Sequence, residues 1–247
     1  MQHVAIFGAT SAIAADVARL LAGRGARLYL VGRNPQKLAE LVAELGTAVA
    51  GSAVQDFDHT ESAATCVTGA IEGLSGRVDL ALVAHGLLGD QLESERSREV
   101  AEQIVRTNYL GVMALLIPLA NHLESRGQGH LAVLSSVAAE RGRPRNYTYA
   151  SAKAALNVYL QGLRSRLYQR GVGIHLIKLG PVDTPMTETH KKNLLFARSP
   201  AVAREIVAAV EQGRFEAFVP GYWRLIMFAV RNMPEAVFQR VGALSGR

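Results

Sequence analysis

The strongest constraint in this chain is an alternation of two periods. Short runs rich in Val, Ile and Leu recur between longer segments in which apolar residues return every three or four positions. Strands separated by helices in this way form a parallel sheet whose faces the helices cover. The pattern predicts strands at 3–7, 27–31, 48–53, 78–84, 130–135, 173–179 and 215–219. Helices are predicted at 13–21, 35–45, 61–74, within 94–125, at 149–170 and at 200–212, with a loop rich in Thr, Pro and Lys over 180–199. Right-handed crossovers turn such a series into an α/β, doubly wound sheet of about seven mainly parallel strands with helices on both faces. Ligands of such sheets bind beyond the carboxyl ends of the strands.

With 247 residues, 49% of them apolar and 19% charged, one core closes without cross-links. No repeat, low-complexity tract or linker divides the chain. It reads as one domain over 1–247 that ends in an apolar and basic helical appendage at about 221–247. The lone Cys66 excludes a disulfide framework and a multi-cysteine metal site. Seven histidines lack paired ligand spacing, so no metal is expected. Residues 1–8 read as a strand entering a glycine turn rather than as a secretory leader, and a cytoplasmic setting is expected. The longest strongly apolar stretch, 225–230, falls far short of the roughly 20 residues that cross a bilayer. The formal charge is +6, but the basic residues are scattered and are not interleaved with aromatics, which argues against nucleic acid. Anionic small molecules account for the charge more simply.

Gly8-Ala9-Thr10-Ser11-Ala12-Ile13-Ala14 lies between the first strand and the first helix. A turn of small residues there lets a pyrophosphate approach the free N–H groups of a helix N-terminus, as in a Rossmann-like dinucleotide site. Gly8, Thr10, Ser11, Ala12 and Ile13 are the candidate contacts. Dinucleotide turns usually carry three glycines, and here Ala12 and Ala14 stand at the second and third, so a plain tight turn is the alternative. Arg33 follows the second strand, where an NAD-selective fold would carry an acidic residue; its guanidinium favours a 2′-phosphate and hence NADP(H). An ordinary helix-start arginine is the alternative. Asp56 and Phe57 can hold the adenine by a carboxylate hydrogen bond and an apolar wall, while Asp58 can equally serve an acidic turn that caps the next helix.

Ser136, Tyr149 and Lys153 form the most specific constellation. Tyr149 and Lys153 are four apart, so a helix presents them on one face, where the ammonium lowers the cost of a phenolate. A phenol of ordinary pKa about 10 then exchanges protons near neutral pH. Ser136, at a strand end, suits a hydrogen bond to a carbonyl oxygen on which charge develops. A Tyr–Lys pair alone is a common surface feature; Ser136 upstream and the glycine turn give it catalytic meaning. Tyr147 is off the face of Lys153, and Ser135 is expected to point into the sheet.

With Leu134-Ser135-Ser136-Val137, Tyr149-Ala150-Ser151-Ala152-Lys153 and the Gly8 turn in place, the chain resembles the short-chain dehydrogenase/reductase family over almost its whole length. The resemblance implies that Asn108 holds a water linking Lys153 to solvent, and that Tyr149 and Lys153 also contact the cofactor. It further implies that Gly180 lets the backbone pass close to the nicotinamide, that Thr184 bonds the carboxamide, and that Val182, Ala84 and Gly86 border the cofactor. Two departures stand out. Leu179-Gly180-Pro181 reverses the usual Pro-Gly order, and Val83-Ala84-His85-Gly86 replaces Asn-Asn-Ala-Gly, with a structural role the favoured reading of His85. The long helices containing Asn108 and Tyr149 resemble the family's dimerising surfaces, implying a homodimer or homotetramer.

Leu87 and Leu88, Arg141 and Arg143, and the segment from Gly221 to Met227 resemble a branch that reduces polyprenyl-phosphate-linked 2-keto pentoses. A general ketoreductase for lipid, polyketide or xenobiotic carbonyls and a non-catalytic nicotinamide sensor are the alternatives. Arg141, Arg143 and Arg145 suit an anionic substrate or are merely solvated. Trp223, Met227 and Val230 share one helical face, with Arg224 and Arg231 beside it and Pro234 ending the segment. That helix suits peripheral contact with a membrane, or packing on its own core or a partner subunit.

Overall fold

The computed structural model describes residues 1–188 and 192–242. Its first strand, β1 (His3–Phe7), sends Val4 and Ile6 into one apolar core and Ala5 and Phe7 into another. Alternation along one extended run thus feeds two layers at once. β2 (Arg27–Gly32), β3 (Val49–Val54), β4 (Leu80–Val83), β5 (Gly129–Ser136) and β6 (Val172–Leu179) follow. β7 (Val182–Asp183) and β8 (Ala197–Arg198) pair with each other, and β9 (Glu216–Val219) completes the main sheet. The order β3-β2-β1-β4-β5-β6-β9 is parallel throughout. Direction reverses between β1 and β4, and that switch point opens a crevice at the carboxyl ends.

One face is covered by α1 (Ala12–Ala22), α2 (Pro35–Leu45) and α8 (Ser199–Glu211), which bury Ala14, Val17, Leu38, Leu41, Val202 and Ile206. The other carries α3 (Ala63–Gly73), α6 (Gly111–Arg126) and α7 (Tyr147–Leu167). Ser11 and Asn34 cap α1 and α2, each accepting an N–H of the first turn; Pro35 adds a preset φ at the start of α2.

Three regions depart from the periodicity. The helix expected within 94–125 divides into α4 (Gln91–Ser94), α5 (Arg98–Val105) and α6, the last two joined by a π turn over Arg106–Leu110. By length and composition the continuous run Arg98–Arg126 is apolar enough to cross a membrane, so 225–230 does not mark the apolar limit of the chain. Val112, Leu115, Leu116, Leu119 and Leu123 are spent on the core, which makes this a core helix. The loop expected over 180–199 contains the β7–β8 pair; residues 189–191 lie outside the described residues. Beyond β9, α9 (Trp223–Asn232) and α10 (Glu235–Phe238) form a small third core around Val137, Trp223, Met227, Val230 and Phe238. Residues 243–247 of the appendage also lie outside the described residues.

Candidate active site

The crevice at the switch point is lined by Thr10, Ser11, Ala12 and Ile13 on one side and by Ala84, His85 and Gly86 facing them. Gly8 makes this approach possible. Its φ is +85°, and a Cβ there would lie 2.5 Å from the His85 backbone nitrogen. Both facts demand glycine. Ser11 accepts from the Ala14 N–H at 3.2 Å, leaving the N–H groups of Ala12 and Ile13 ahead of the first helical hydrogen bond. Ala14 itself is fully buried against the sheet, so the third glycine of the usual pattern has been traded for packing.

Arg33 is exposed beside the α2 cap, and its positive charge reaches His85. Lys37, one helical turn on, lines the crevice. The spacing of Arg33 and Lys37 carried this signal, which motif reading passed over. Asp56 shapes its own turn by accepting the Asp58 N–H at 3.1 Å. Phe57 is not an open wall for a base: its ring is buried and stacked on His85, with centroids 4.1 Å apart and planes 11° apart. Asp58 accepts the Thr107 hydroxyl at 2.5 Å, tying this turn to the π turn that carries Asn108. His85 is thus held from behind. Among the described residues, neither of its ring nitrogens has a hydrogen-bond partner of normal geometry. Burial, reinforced by the charges of Lys153 and Arg33, pushes its pKa down to about 3.

Ser136 ends β5, while Tyr149 and Lys153 occupy the first two turns of α7. Two hydrogen bonds between Gln91 and Thr148, from N to Oε1 at 3.0 Å and from Nε2 to Oγ1 at 3.3 Å, anchor the turn that presents Tyr149. Lys153 is buried; its Nζ donates to the Leu134 carbonyl at 3.0 Å and lies 5.8 Å from the centre of the Tyr149 ring. Burial pushes the Tyr149 phenol up to about 12, against a pull downward from the Ser136 hydroxyl, and brings Lys153 down to about 8. The expected near-neutral phenol is therefore not what these protein groups alone produce, because desolvation outweighs the hydrogen bond from Ser136. Asn108 is fully buried. Its Nδ2 donates to Leu87 O at 2.6 Å and to Ile104 O at 2.8 Å, and its Oδ1 accepts the Leu87 N–H at 3.2 Å. The empty side-chain position of Gly86 faces both Asn108 and Lys153. Ser135 is buried and donates to Asn157 at 2.6 Å, and Tyr147 is exposed.

The substrate side corrects more of the sequence reading. The space above Gly180 is filled by the Trp223 indole, so the glycine is required by the C-terminal helix rather than by the backbone path alone. Val182 buries its side chain in the core, which leaves only its backbone for a ligand. Thr184 lines the crevice beside Pro185 and Met186, with its hydroxyl 3.5 Å from the Val182 carbonyl. Arg141 is not waiting for a substrate. It donates to Val230 O at 2.8 Å, to Met233 O at 2.6 Å and to Glu235 at 2.5 Å, and its guanidinium lies 3.9 Å over the Phe238 ring. These contacts span about 90 residues of sequence, so no local pattern could announce them.

A larger concavity of about 1130 Å³ lies between β9 and α9, lined by Glu140, Glu216, Arg224, Leu225, Phe228 and Arg231. Size does not identify the site here. That groove contains none of the Ser136, Tyr149 and Lys153 chemistry, and its Glu140 and Glu216 are engaged by Lys178 at 2.6 and 2.7 Å.

Comparison with known proteins supplies independent landmarks. A family model described as short chain dehydrogenase matches residues 2–195. An uncharacterized oxidoreductase of Mycobacterium tuberculosis is 35% identical over 240 residues, covering 96% of each chain. Another, encoded in the mprA 5′ region of Streptomyces coelicolor, is 34% identical over 237 residues, or 96% of this chain and 94% of that protein. Among solved structures, a short chain dehydrogenase of Burkholderia cenocepacia in complex with NADP superposes with a TM-score of 0.83 at 22% identity, covering 98% and 99% of the two chains.

Proposed function

The chain belongs to the short-chain dehydrogenase family, and from that premise we propose that it reduces a ketone to a secondary alcohol with NADPH. One observation carries this reading: Tyr149 and Lys153 line the same crevice as the 10–13 turn, with Ser136, at the carboxyl end of β5, hydrogen-bonded to Tyr149 and the Lys153 Nζ 5.8 Å from the centre of its ring. The residues present fit a dinucleotide. Gly8 removes side-chain bulk, Ala12 and Ile13 offer free N–H groups at a helix N-terminus, and Arg33 and Lys37 supply cations for phosphate. The NADP in the Burkholderia structure supports the same choice.

When bound, the nicotinamide supplies the hydride that reaches the carbonyl carbon. Ser136 donates a hydrogen bond to the carbonyl oxygen and stabilises the negative charge that gathers there. Tyr149 gives its phenolic proton to that oxygen. A phenol pushed up to about 12 keeps its proton throughout the neutral range, the form a general acid needs. Lys153 faces Tyr149 and eases the charge left on the phenolate. Asn108, packed against the Leu87 and Ile104 backbone, holds the Lys153 end of the site and the route by which the proton is replaced.

The substrate in this reading is a lipid-phosphate-linked keto sugar, supported by the sequence of the 87–88 and 221–227 segments; Arg141, engaged by the C-terminal segment, does not add to it. A homodimer or homotetramer and contact of the α9 segment with a membrane surface belong to the same proposal, and the buried thiol of Cys66 suits a reducing cytoplasm. The test is NADPH oxidation across a panel of small diketones, keto esters and prenyl-phosphate-linked ketones. Turnover of at least one ketone with preference for NADPH over NADH is expected, and Arg33→Asp should reverse that preference. No turnover of any ketone, despite tight NADPH binding, would favour a nicotinamide sensor.

A further inference from the structure

Lys178 carries a charge where the sheet is otherwise closed to water. Its side chain, on β6, is 5% exposed, and its Nζ lies 2.6 Å from Glu140, itself 6% exposed. The more open Glu216 stands 2.7 Å away, and Arg231 of α9 approaches Glu140 at 3.7 Å. A buried ion pair adds little to stability, because withdrawing two charges from water costs about as much as their attraction returns. What it does supply is a fixed distance between two points of the backbone.

Here the two points enclose Ser136. Glu140 is the last residue of the turn Val137–Glu140, which starts directly after Ser136. Across the β5–β6 ladder, Ser135 pairs with Lys178 and Ser136 with Leu179. Residues 136–140 are therefore pinned to one spot of β6 at both ends, by strand pairing at Ser136 and by the ion pair at Glu140. Inside that closed loop, the Ser136 Oγ accepts the Ala138 N–H at 3.1 Å and is hydrogen-bonded to Tyr149. A serine hydroxyl chooses among three staggered positions and has one proton and two lone pairs. The Ala138 N–H selects one position and takes one lone pair, which leaves the rest of the hydroxyl for Tyr149 and, in the proposed reaction, for the carbonyl oxygen. A displaced turn would carry that N–H with it. We propose that Glu140 is a positioning residue for Ser136, acting through its buried bond to Lys178. This rests on the ketone-reductase reading for what Ser136 does in turnover, but the hydrogen bond between Ser136 and Tyr149 can be observed without turnover.

The experiment reads the Tyr149 phenol by NMR in the full chain, with tyrosine isotopically labelled at Cζ, where the shift follows hydrogen bonding to the hydroxyl. Tyr149→Phe assigns the resonance, and Ser136→Ala gives its position without the bond. Glu140→Gln, and separately Glu140→Leu combined with Lys178→Met, should each move the resonance most of the way to the Ser136→Ala position. Glu216→Gln takes the other carboxylate from the same lysine and should leave the resonance in place. NADPH affinity, the check on folding, should stay within about threefold of wild type in all of them. With a ketone that the wild type turns over, kcat should fall about 10- to 100-fold in Glu140→Gln and in the double variant, the scale of a misplaced hydrogen-bond donor, and little in Glu216→Gln. A merely structural ion pair would lower the urea midpoint of Glu140→Gln and leave the resonance and kcat alone, which overturns the proposal. An equal shift in Glu216→Gln overturns it too, as does a resonance that Ser136→Ala fails to move, since no bond would then need positioning. The expected shifts in a protein that reduces no ketone would uphold the positioning of Ser136 while the reductase reading fails.

Discussion

The two halves of the crevice are built by different means. The cofactor half is made of small residues and backbone: Gly8 against His85, the Ser11 cap, and Thr10 against Gly32. Its parts come from the first βα units and from the neighbouring strand at the switch point. The substrate half is assembled across the chain. Arg141 reaches Val230, Met233 and Glu235, and Trp223 closes over Gly180. A binding turn can be specified within a dozen residues, whereas a pocket wall recruited from the end of the chain can be changed without touching that turn.

Tyr149 stands where the halves meet, and removing its hydroxyl should have the largest effect on turnover. Tyr149→Phe takes away the proposed proton donor while keeping the ring, so kcat should fall about 10²- to 10⁴-fold. NADPH affinity, read by fluorescence titration, should stay within about threefold of wild type. A fall in affinity as large as the fall in kcat would mean that the two halves are not separable at this residue.

Gly8→Ala and Gly180→Ala compare the halves directly. The first places a Cβ 2.5 Å from a backbone nitrogen at a φ of +85°, where neither partner can yield cheaply. NADPH affinity should drop by about 10-fold or more, since about 1.4 kcal/mol of distortion is enough for that factor. The second meets the Trp223 side chain, which can move with α9. Gly180→Ala should raise KM for the ketone several-fold while leaving NADPH affinity within about threefold. Equal loss of cofactor binding in both variants would break the distinction.

Arg141→Ala sharpens the same comparison from the far end of the chain. Loss of the bonds to Val230, Met233 and Glu235 should loosen α9 and α10 by about 2 kcal/mol, the scale of hydrogen bonds to a charged donor. Limited proteolysis should then cut first beyond residue 220, with NADPH binding intact. Unchanged cleavage would show that the third core around Trp223 holds the tail unaided.

What could be read in the sequence follows the same division. Ser136, Tyr149 and Lys153 were legible because strand end and helical spacing fix where they point, and the Gly8 turn because its demands are local. The parallel sheet was legible from apolar runs such as 3–7. Phe57 and Arg141 misled for a single reason: each side chain has a type suited to a ligand, but a distant residue uses it first. Phe57 is taken by His85 and Arg141 by the tail. The π turn at Arg106–Leu110 left no periodic trace, since one extra residue in a turn barely disturbs a helical pattern.

The smallest effect concerns the two ends of the sheet. His85 is buried at the carboxyl end with its pKa pushed down to about 3; His175, near the amino end of β6, is brought down to about 4, mainly by burial, with His130 2.9 Å from its Nε2 and Arg214 O 2.7 Å from its Nδ1. In the unfolded chain both titrate near 6.5, so below that pH the unfolded state binds more protons and stability must fall with acid. The window runs from about 6.5 down to about 4 for His175 and to about 3 for His85. Each should contribute about 1 kcal/mol between pH 6.5 and 5.5 in urea unfolding, and His175→Asn or His85→Asn should each flatten the profile by that share. NADPH separates them: because it binds at the end that holds His85, saturating cofactor should alter the His85 share and leave the His175 share in place. If NADPH changed both shares alike, the two ends of the sheet would be coupled through the core, and the independence of the cofactor half would be lost.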